Sequence, residues 1–274
     1  HRFFGEWYAG LQEDPGTRMT VLDFLDRAVD LGAEGVSLES CFLPTDDASV
    51  EALGIELAAR ALVPVWAWGH PHGLRSGTDR EAAQDCARHL AIARQVGAQV
   101  MRICGGGRRT RPGSWAEHKR GLVDLLLPLT EAAERQGVVM AIENHIDLLA
   151  DEMVELIETV DSPWLRVCFD TANNLRMLED PVEVARKLAP YASATHFKDV
   201  TAQRGDPRTF AFWPSVPLGQ GVVDLLAILA LLAEQGYSGV LALEIDYLAP
   251  AYAAAGEDAA VADSLAWLRK QLAQ

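Results

Sequence analysis

The amino-acid sequence predicts an α/β fold, a single (β/α)8 TIM barrel over residues 1–274, and three observations carry that expectation. Strand-like apolar runs alternate with helically spaced segments almost from the start, and eight successive units favour a closed parallel barrel over an open doubly wound sheet. Four of the apolar runs close on an ionisable side chain: VVMAIE on Glu143, LRVCFD on Asp170, ASATH on His196 and VLALE on Glu244. Their spacing fits too, running 143 to 170 (27 residues), 170 to 196 (26) and 196 to 244 (48). A strand-plus-helix unit takes about 31 residues when about 250 are shared among eight. The first two gaps are therefore one unit each, and the third is one unit with a longer loop.

The elements follow in order. HRFFGEWY is expected as strand 1 or its remnant, since the chain opens on His1 rather than Met, and MTVLDFLDRAVDLG has helical spacing with Gly32 as a stop. EGVSLE reads as strand 2, ending at Glu39, and residues 46–60 as helix 2, capped by Thr45 or Asp46. LVPVWAWGH is strand 3, and DREAAQDCARHLAIARQVG a long helix ended by Gly97. AQVMRI is strand 4, followed by the turn CGGG and a helix in which Ser114 and Glu117 are spaced as a capping box. Strand 5 ends at Glu143, with DEMVELIETV as the next helix. Strand 6 ends at Asp170, before a helix that carries Pro181 in its first turn. Strand 7 ends at His196, VVDLLAILALLAEQG is helix 7, strand 8 ends at Glu244, and EDAAVADSLAWLRKQLA is helix 8.

Composition excludes several function classes. With 49% hydrophobic and 23% charged residues the chain reads as an ordinary globular protein with ample length for a core. Lys+Arg 24 against Asp+Glu 39 gives −15, which repels phosphate backbones and anionic membranes, so neither nucleic acid nor a membrane surface is an expected partner. The longest apolar run, VVDLLAILALLA, is interrupted by Asp224 and falls short of the roughly 20 residues of a membrane span. Cys41, Cys86, Cys104 and Cys168 lie far apart with no C-x-x-C, which reads as reduced thiols in a cytoplasmic protein.

A lone acidic residue at a strand end is more often a cap or a loop partner than a metal ligand. The joint pattern changes that balance. Glu143, Asp170, His196 and Glu244 on four adjacent strands would converge on one pocket, where three carboxylates repel one another unless a cation shares the space. Oxygen-dominated donors without cysteine suit one divalent ion, with Mn²⁺ or Mg²⁺ favoured over Co²⁺ or Zn²⁺.

The runs A-I-E-N-H (141–145), C-F-D-T-A-N (168–173), H-F-K-D (196–199), P-L-G-Q-G (217–221) and A-L-E-I-D (242–246) resemble the xylose isomerase-like TIM-barrel superfamily, in its sugar phosphate isomerase/epimerase branch. The likeness covers essentially the whole chain. It implies a metal held by Glu143, Asp170, His196 and Glu244, with Glu143 and Glu244 at the positions of the acid/base pair of epimerases in that family. It also implies a small sugar or sugar acid as substrate and, as one option, a homo-oligomer. The chemistry needs this arrangement, because a carbon acid beside a ketone yields its proton quickly only where a cation stabilises the enediolate. One glutamate then takes a proton from one face and the second returns one to the other.

A second circle of candidates surrounds these. His145 and Asn173 follow Glu143 and Asp170 closely enough to bind substrate hydroxyls or orient the ligands. Lys198, two past His196, points to the same side and suits an enolate or a substrate carboxylate, with a salt bridge to Asp199 or Glu244 as the alternative. Trp66, Trp68 and His70 share one side of strand 3, where Trp68 and His70 fit the apolar face of a sugar or else pack as core. Arg102 is placed to bind an anionic substituent or to form a structural ion pair. The turn Gly105–Gly107 with Arg108, Arg109 and Arg111 lacks phosphate-loop spacing, which favours an unphosphorylated substrate. The segment from Val200 to Gly221, with Arg204, Phe210, Phe212 and Trp213, is expected to be a lid or subunit contact. Three functions fit: a metal-dependent sugar isomerase/epimerase, a metal-dependent lyase on a 3-oxo sugar acid or glycoside with Lys198 or His145 as proton donor, and, third, a non-catalytic sugar-binding barrel.

Overall fold

The computed structural model describes residues 19–273. Helix α1 (Val21–Asp30) is opened by Thr20, whose hydroxyl accepts from the Asp23 N–H while the Asp23 carboxylate accepts from the Thr20 N–H. There follow β1 (Gly35–Glu39), α2 (Asp47–Ala59), β2 (Val63–Ala67), α3 (Arg80–Gln95), β3 (Val100–Cys104), α4 (Trp115–Gln136), β4 (Val139–Glu143) and α5 (Ala150–Val160). Next come β5 (Leu165–Asp170), α6 (Pro181–Leu188) and β6 (Ala192–Phe197). An antiparallel pair, β7 (Asp199–Val200) with β8 (Ser215–Val216), precedes α7 (Leu225–Glu234), β9 (Leu241–Leu243) and α8 (Gly256–Leu272).

Strands β1 to β6 and β9 pair in sequential order as one parallel sheet. Each parallel step needs a helical crossover, which coats the outside of the sheet with helices and lets it curl. The edge strands β1 and β9 approach one another, so the sheet is a nearly closed TIM barrel. The run HRFFGEWY, expected as strand 1, lies outside the described residues, and β1 is the second expected strand.

Several boundaries differ from expectation; the strand expected over LVPVWAWGH, for instance, ends at Ala67 rather than His70. The helix expected from Val222 begins at Leu225, because the Asp224 carboxylate accepts from the Ala227 N–H (3.1 Å) and thereby caps it. The strand expected to stop at His196 continues to Phe197, and the one expected to stop at Glu244 ends at Leu243. The 200–221 segment is not a plain loop, because β7 and β8 pair across it and a short 3-10 turn spans Phe210–Phe212.

Alternation along the strands sorts the interior. Trp66, Met101, Ile103, Met140, Val167 and Phe169 point outward into the large core shared with the helices. Val65, Ala141, Cys168 and Ala194, with Val100 and Val240 against them, form a separate small cluster inside the barrel. Two residues further along four of these strands stand Arg102, Glu143, Asp170 and His196, which a period of two keeps on the inner face. The small inner residues floor the barrel, and the charged layer closes it at the C-terminal end. All four cysteines are free thiols. Among the described residues no helix is long and apolar enough to cross a membrane.

Candidate functional site

The register of the sheet brings the charged layer together. Asp170 and His196 are directly paired between β5 and β6, and Glu143 pairs with Cys168, two residues before Asp170 and on the same face. Glu143, Asp170 and His196 each offer a donor atom, and these atoms lie within 4.8 Å of one another, all buried. Glu244, the first residue past β9, borders this triad with its carboxylate 3.4 Å from His196 Nδ1. His196 Nδ1 lies equally far, 3.4 Å, from Glu143 Oε1.

Each side chain is held from behind. Arg102 Nε donates to Glu143 Oε2 (2.7 Å), and its Nη1 lies 3.2 Å from Glu39 Oε1. The sequence left Arg102 between anion binding and an ion pair, and the structure forms the ion pair. Asn173 Nδ2 donates to the other Glu143 oxygen (2.9 Å). Asp170 Oδ1 accepts from the backbone N–H groups of Ala172 and Asn173, both at 2.8 Å, so the turn after β5 fixes that carboxylate. Asn144 locks the strand end, accepting from the Asp170 N–H (2.7 Å) and donating to its carbonyl (2.9 Å).

Lys198 is buried among three carboxylates: Asp170 (2.9 Å), Glu244 (2.6 Å) and Asp246 (2.7 Å). The pairing with Glu244 is one of the alternatives the sequence left open. Asp199 instead accepts from the N–H groups of Gly219 (3.0 Å), Gly221 (2.8 Å) and Val223 (3.2 Å), tying the start of the 200–221 segment to its end.

Burial and charge set the protonation of this layer. Burial disfavours the Glu143 carboxylate, but Arg102 and His196 outweigh it and hold the group well below its ordinary range. Glu244 is likewise opposed by burial and pulled well below by His196 and Lys198. For Asp170 burial wins: Lys198 favours the anion, yet Glu244 and Glu143 add repulsion, and the carboxyl is pushed up. His196 and Lys198 are both disfavoured by burial but raised well above their ordinary values by the surrounding carboxylates. The carboxylates around His196 thus favour its protonated form. A divalent ion suits the same donors, since two carboxylates and an imidazole match its hard-to-borderline preferences and its charge replaces that proton.

The remaining candidates are dispersed. His145 Nδ1 lies 3.1 Å from the Gly106 carbonyl, on the loop after β3. Trp68 turns away from the barrel interior, its indole N–H donating to Asp85 on α3 (2.8 Å), while Trp66 does the same to His89 (3.1 Å). His70 stacks on Trp68 with ring centroids 5.1 Å apart and is half-buried. The arginines after the glycine turn serve the protein itself: Arg108 donates to the Arg176 carbonyl (2.6 Å) and Arg111 makes a two-pronged pair with Glu152 (2.7 and 2.6 Å).

Four participants escaped the sequence reading. Glu39 closes an apolar run as Glu143 does, and that signal was present. Asp246 stands two past Glu244, the same parity argument that singled out Lys198. Asn144 and Arg176 carry no comparable signal, because their contacts arise from turn geometry.

Comparison with known proteins agrees with this architecture. The sequence pattern of the family described as xylose isomerase-like TIM barrel matches residues 25–271. An uncharacterised protein of Escherichia coli K12 is 29% identical over 134 residues, covering 47% of this chain and 40% of its own. The 3-oxo-isoapionate decarboxylase of Pectobacterium atrosepticum is 24% identical over 155 residues, 57% of this chain and 54% of that protein. The chain thus spans about half the length of the curated relatives it matches.

Among solved structures, a xylose isomerase domain protein from Planctomyces limnophilus superposes with a TM-score of 0.76 at 24% identity over 90% of both chains. The 3-keto-D-glucoside 4-epimerase of E. coli gives 0.72 at 16%, over 94% of this chain and 97% of that one. A xylose isomerase-like barrel protein from Mycobacterium smegmatis in complex with magnesium gives 0.69 at 19%, over 92% and 87%. These structural likenesses concern the fold, and with the family match over nearly the whole described chain they lead to one conclusion: this chain belongs to the xylose isomerase-like TIM-barrel family.

Proposed function

We propose that the protein is a divalent-metal-dependent isomerase or epimerase of a keto sugar, with Glu143 and Glu244 as its acid/base pair. The observation that carries this reading is the meeting of Glu143, Asp170 and His196 donor atoms within 4.8 Å, with the Glu244 carboxylate 3.4 Å from the imidazole. Those four residues would hold the ion, Mn²⁺ or Mg²⁺ before Co²⁺ or Zn²⁺. When bound, the ion supplies the positive charge that a developing enediolate requires.

The chain's own residues supply the rest. Arg102 and Asn173 hold Glu143 as an oriented anion able to take a proton from a carbon beside a carbonyl. Glu244, held between His196 and Lys198, faces the site from the next position round the barrel and returns a proton. Asn173, hydrogen-bonded to Glu143, and His145, two residues past Glu143, are the side chains on this reading that would meet sugar hydroxyls, whereas His70, stacked on the outward-turned Trp68, would not.

A lyase reading is the second. It is favoured by the buried Lys198 ammonium, a proton source 2.9 Å from Asp170 and 2.6 Å from Glu244, and by the likeness to a decarboxylase of a 3-oxo sugar acid. Incubating the metal-loaded protein with ketoses and 3-oxo sugar acids in deuterated water separates the two. The first reading expects deuterium at the carbon that is inverted, with no CO₂ or fragment released. Release of CO₂ or a fragment selects the lyase, and exchange that persists undiminished after chelation sinks both.

A further inference from the structure

The anion-binding role that the sequence offered to Arg102 is vacated by its ion pairs with Glu143 and Glu39. Another guanidinium is better placed. Arg176 lies in the short 3-10 segment after β5 (Asn173–Met177) and is 1% exposed. Its Nη1 donates to Asn173 Oδ1 (2.8 Å), but its Nε and Nη2 have no hydrogen-bond partner among the described residues. A buried guanidinium with idle donors is costly, and native proteins seldom leave one without a purpose. The neighbouring carboxylates are engaged elsewhere: Glu143 by Arg102 and Asn173, and Asp170, Glu244 and Asp246 by Lys198.

What covers Arg176 is an aromatic ring. Phe210, on the turn between β7 and β8, stands over the guanidinium at 4.3 Å. Arg108 donates to the Arg176 carbonyl and so holds the backbone there. The residue is also close to the chemistry, since Asn173 bridges it to Glu143 by two hydrogen bonds.

We propose that Arg176 is the specificity determinant of the site, its Nε–Nη2 edge receiving a carboxylate of the substrate when the Phe210 turn moves aside, so that the substrate is a keto sugar acid. This rests on the keto-sugar reading above and narrows it. Nε–H and Nη2–H leave the guanidinium side by side and in plane, the geometry that a planar carboxylate accepts bidentately. One cationic edge balances one negative charge. A phosphate dianion would add uncompensated charge to a layer that already holds Glu39, Glu143, Asp170, Glu244 and Asp246, so the carboxylate is the better match.

The test measures binding of D-glucuronate and D-galacturonate, each against its neutral amide, to the Mn²⁺-loaded protein by calorimetry. The wild type is expected to prefer each acid by about 10- to 100-fold, the span of a charged hydrogen-bonded pair. Arg176→Leu should bring the acid-to-amide affinity ratio to about one, and Arg176→Lys should keep part of it. Equal affinity for acid and amide in the wild type overturns the proposal, and needs no variant to fold.

A preference that survives in Arg176→Leu overturns it as well. So does a uniform fall in kcat on acidic and neutral keto sugars, which would mark Arg176 as only a positioning residue for Asn173 and Glu143. The underlying reading fails separately: an Arg176-dependent preference for acids without solvent exchange on any keto sugar keeps the carboxylate site and removes the isomerase.

Discussion

A carboxylate in this barrel acts according to which cation stands behind it. Glu143 is pinned by Arg102 and Asn173, and Glu244 by Lys198 and His196, so both are ionised and fixed in direction. Glutamine keeps their shape and removes both charge and basicity. Glu143→Gln and Glu244→Gln are each expected to lower kcat by about 100- to 10,000-fold in the deuterium-exchange assay, the usual worth of a positioned acid or base. Near-normal rates in either variant would remove that residue from the pair. Asp147 shows the opposite case, a carboxylate with nothing behind it. It is buried, neither oxygen has a hydrogen-bond partner among the described residues, and the nearest imidazole nitrogen, on His118, is 3.8 Å away. Burial pushes its carboxyl up to about 6, and burial holds His118 down to about 4. The folded state therefore binds the Asp147 proton more tightly than the unfolded chain does. Stability is present below about pH 4 and is lost as pH rises through about 6. His118 acts in the other direction, costing stability as pH falls from about 6.5 towards 4. Asp147→Asn should accordingly gain about 2 to 3 kcal/mol more at pH 8 than at pH 4 in urea unfolding. An equal effect at both pH values would show that ionisation is not the cause.

Elements meet at this end of the barrel through a turn of unusual backbone. Arg75, Ser76 and Gly77 all have positive φ, and this turn sits against α4 and the loop after β3. The Ser76 N–H donates to the Gly105 carbonyl (2.8 Å), and the Ser76 and Thr110 hydroxyls are 2.8 Å apart. A Cβ on Gly77 would lie 2.2 Å from the Gly121 carbonyl carbon and 2.3 Å from the Leu122 nitrogen, both backbone atoms that cannot step aside. Gly97 has a similar φ of +86° with nothing within 4 Å of the added atom. Gly97→Ala should thus cost about 1 to 2 kcal/mol, the conformational penalty alone. Gly77→Ala should cost at least about 2 kcal/mol more because the packing must open. Thermal unfolding of the two variants compares them directly, and equal losses would mean that α4 yields readily. This turn also marks where legibility ended. The strand ends at Glu143 and Asp170 were readable, because an ionisable residue that interrupts an apolar run is conspicuous and its parity follows from the run. Trp68 was readable only in part, since alternation placed it with Trp66 but not on the inner or outer face. Only the tertiary packing of α3, with Asp85 and His89 as acceptors, decides that. Arg176 and the Ser76 turn were hidden for the same reason: irregular backbone has no period to read.

At the scale of the whole molecule, the fold gathers several carboxylates into its mouth while the chain carries −15 overall, so a cation bound there would couple to stability. Many divalent ions will associate weakly with exposed acidic groups, and that effect is diffuse and screened by salt. Binding at Glu143, Asp170 and His196 would differ in two ways. It would be specific to the folded state, since those residues lie 27 and 26 positions apart in the chain and meet only through the sheet register. It would also displace the proton of an imidazole that its neighbours hold above the ordinary value, so apparent affinity is expected to rise with pH. Protein stripped by chelation and then supplied with Mn²⁺ at about 100 times Kd should gain about 2.7 kcal/mol. For a chain of this size that raises Tm by about 5 to 10 °C. The increment at a fixed Mn²⁺ concentration should be larger at pH 8 than at pH 6.5 and should survive about 0.5 M NaCl, where surface association does not. Asp170→Asn removes one donor and changes the net charge by a single unit, leaving the diffuse attraction almost intact. If that variant keeps the full Mn²⁺ increment, the ion is binding somewhere other than the mouth of the barrel.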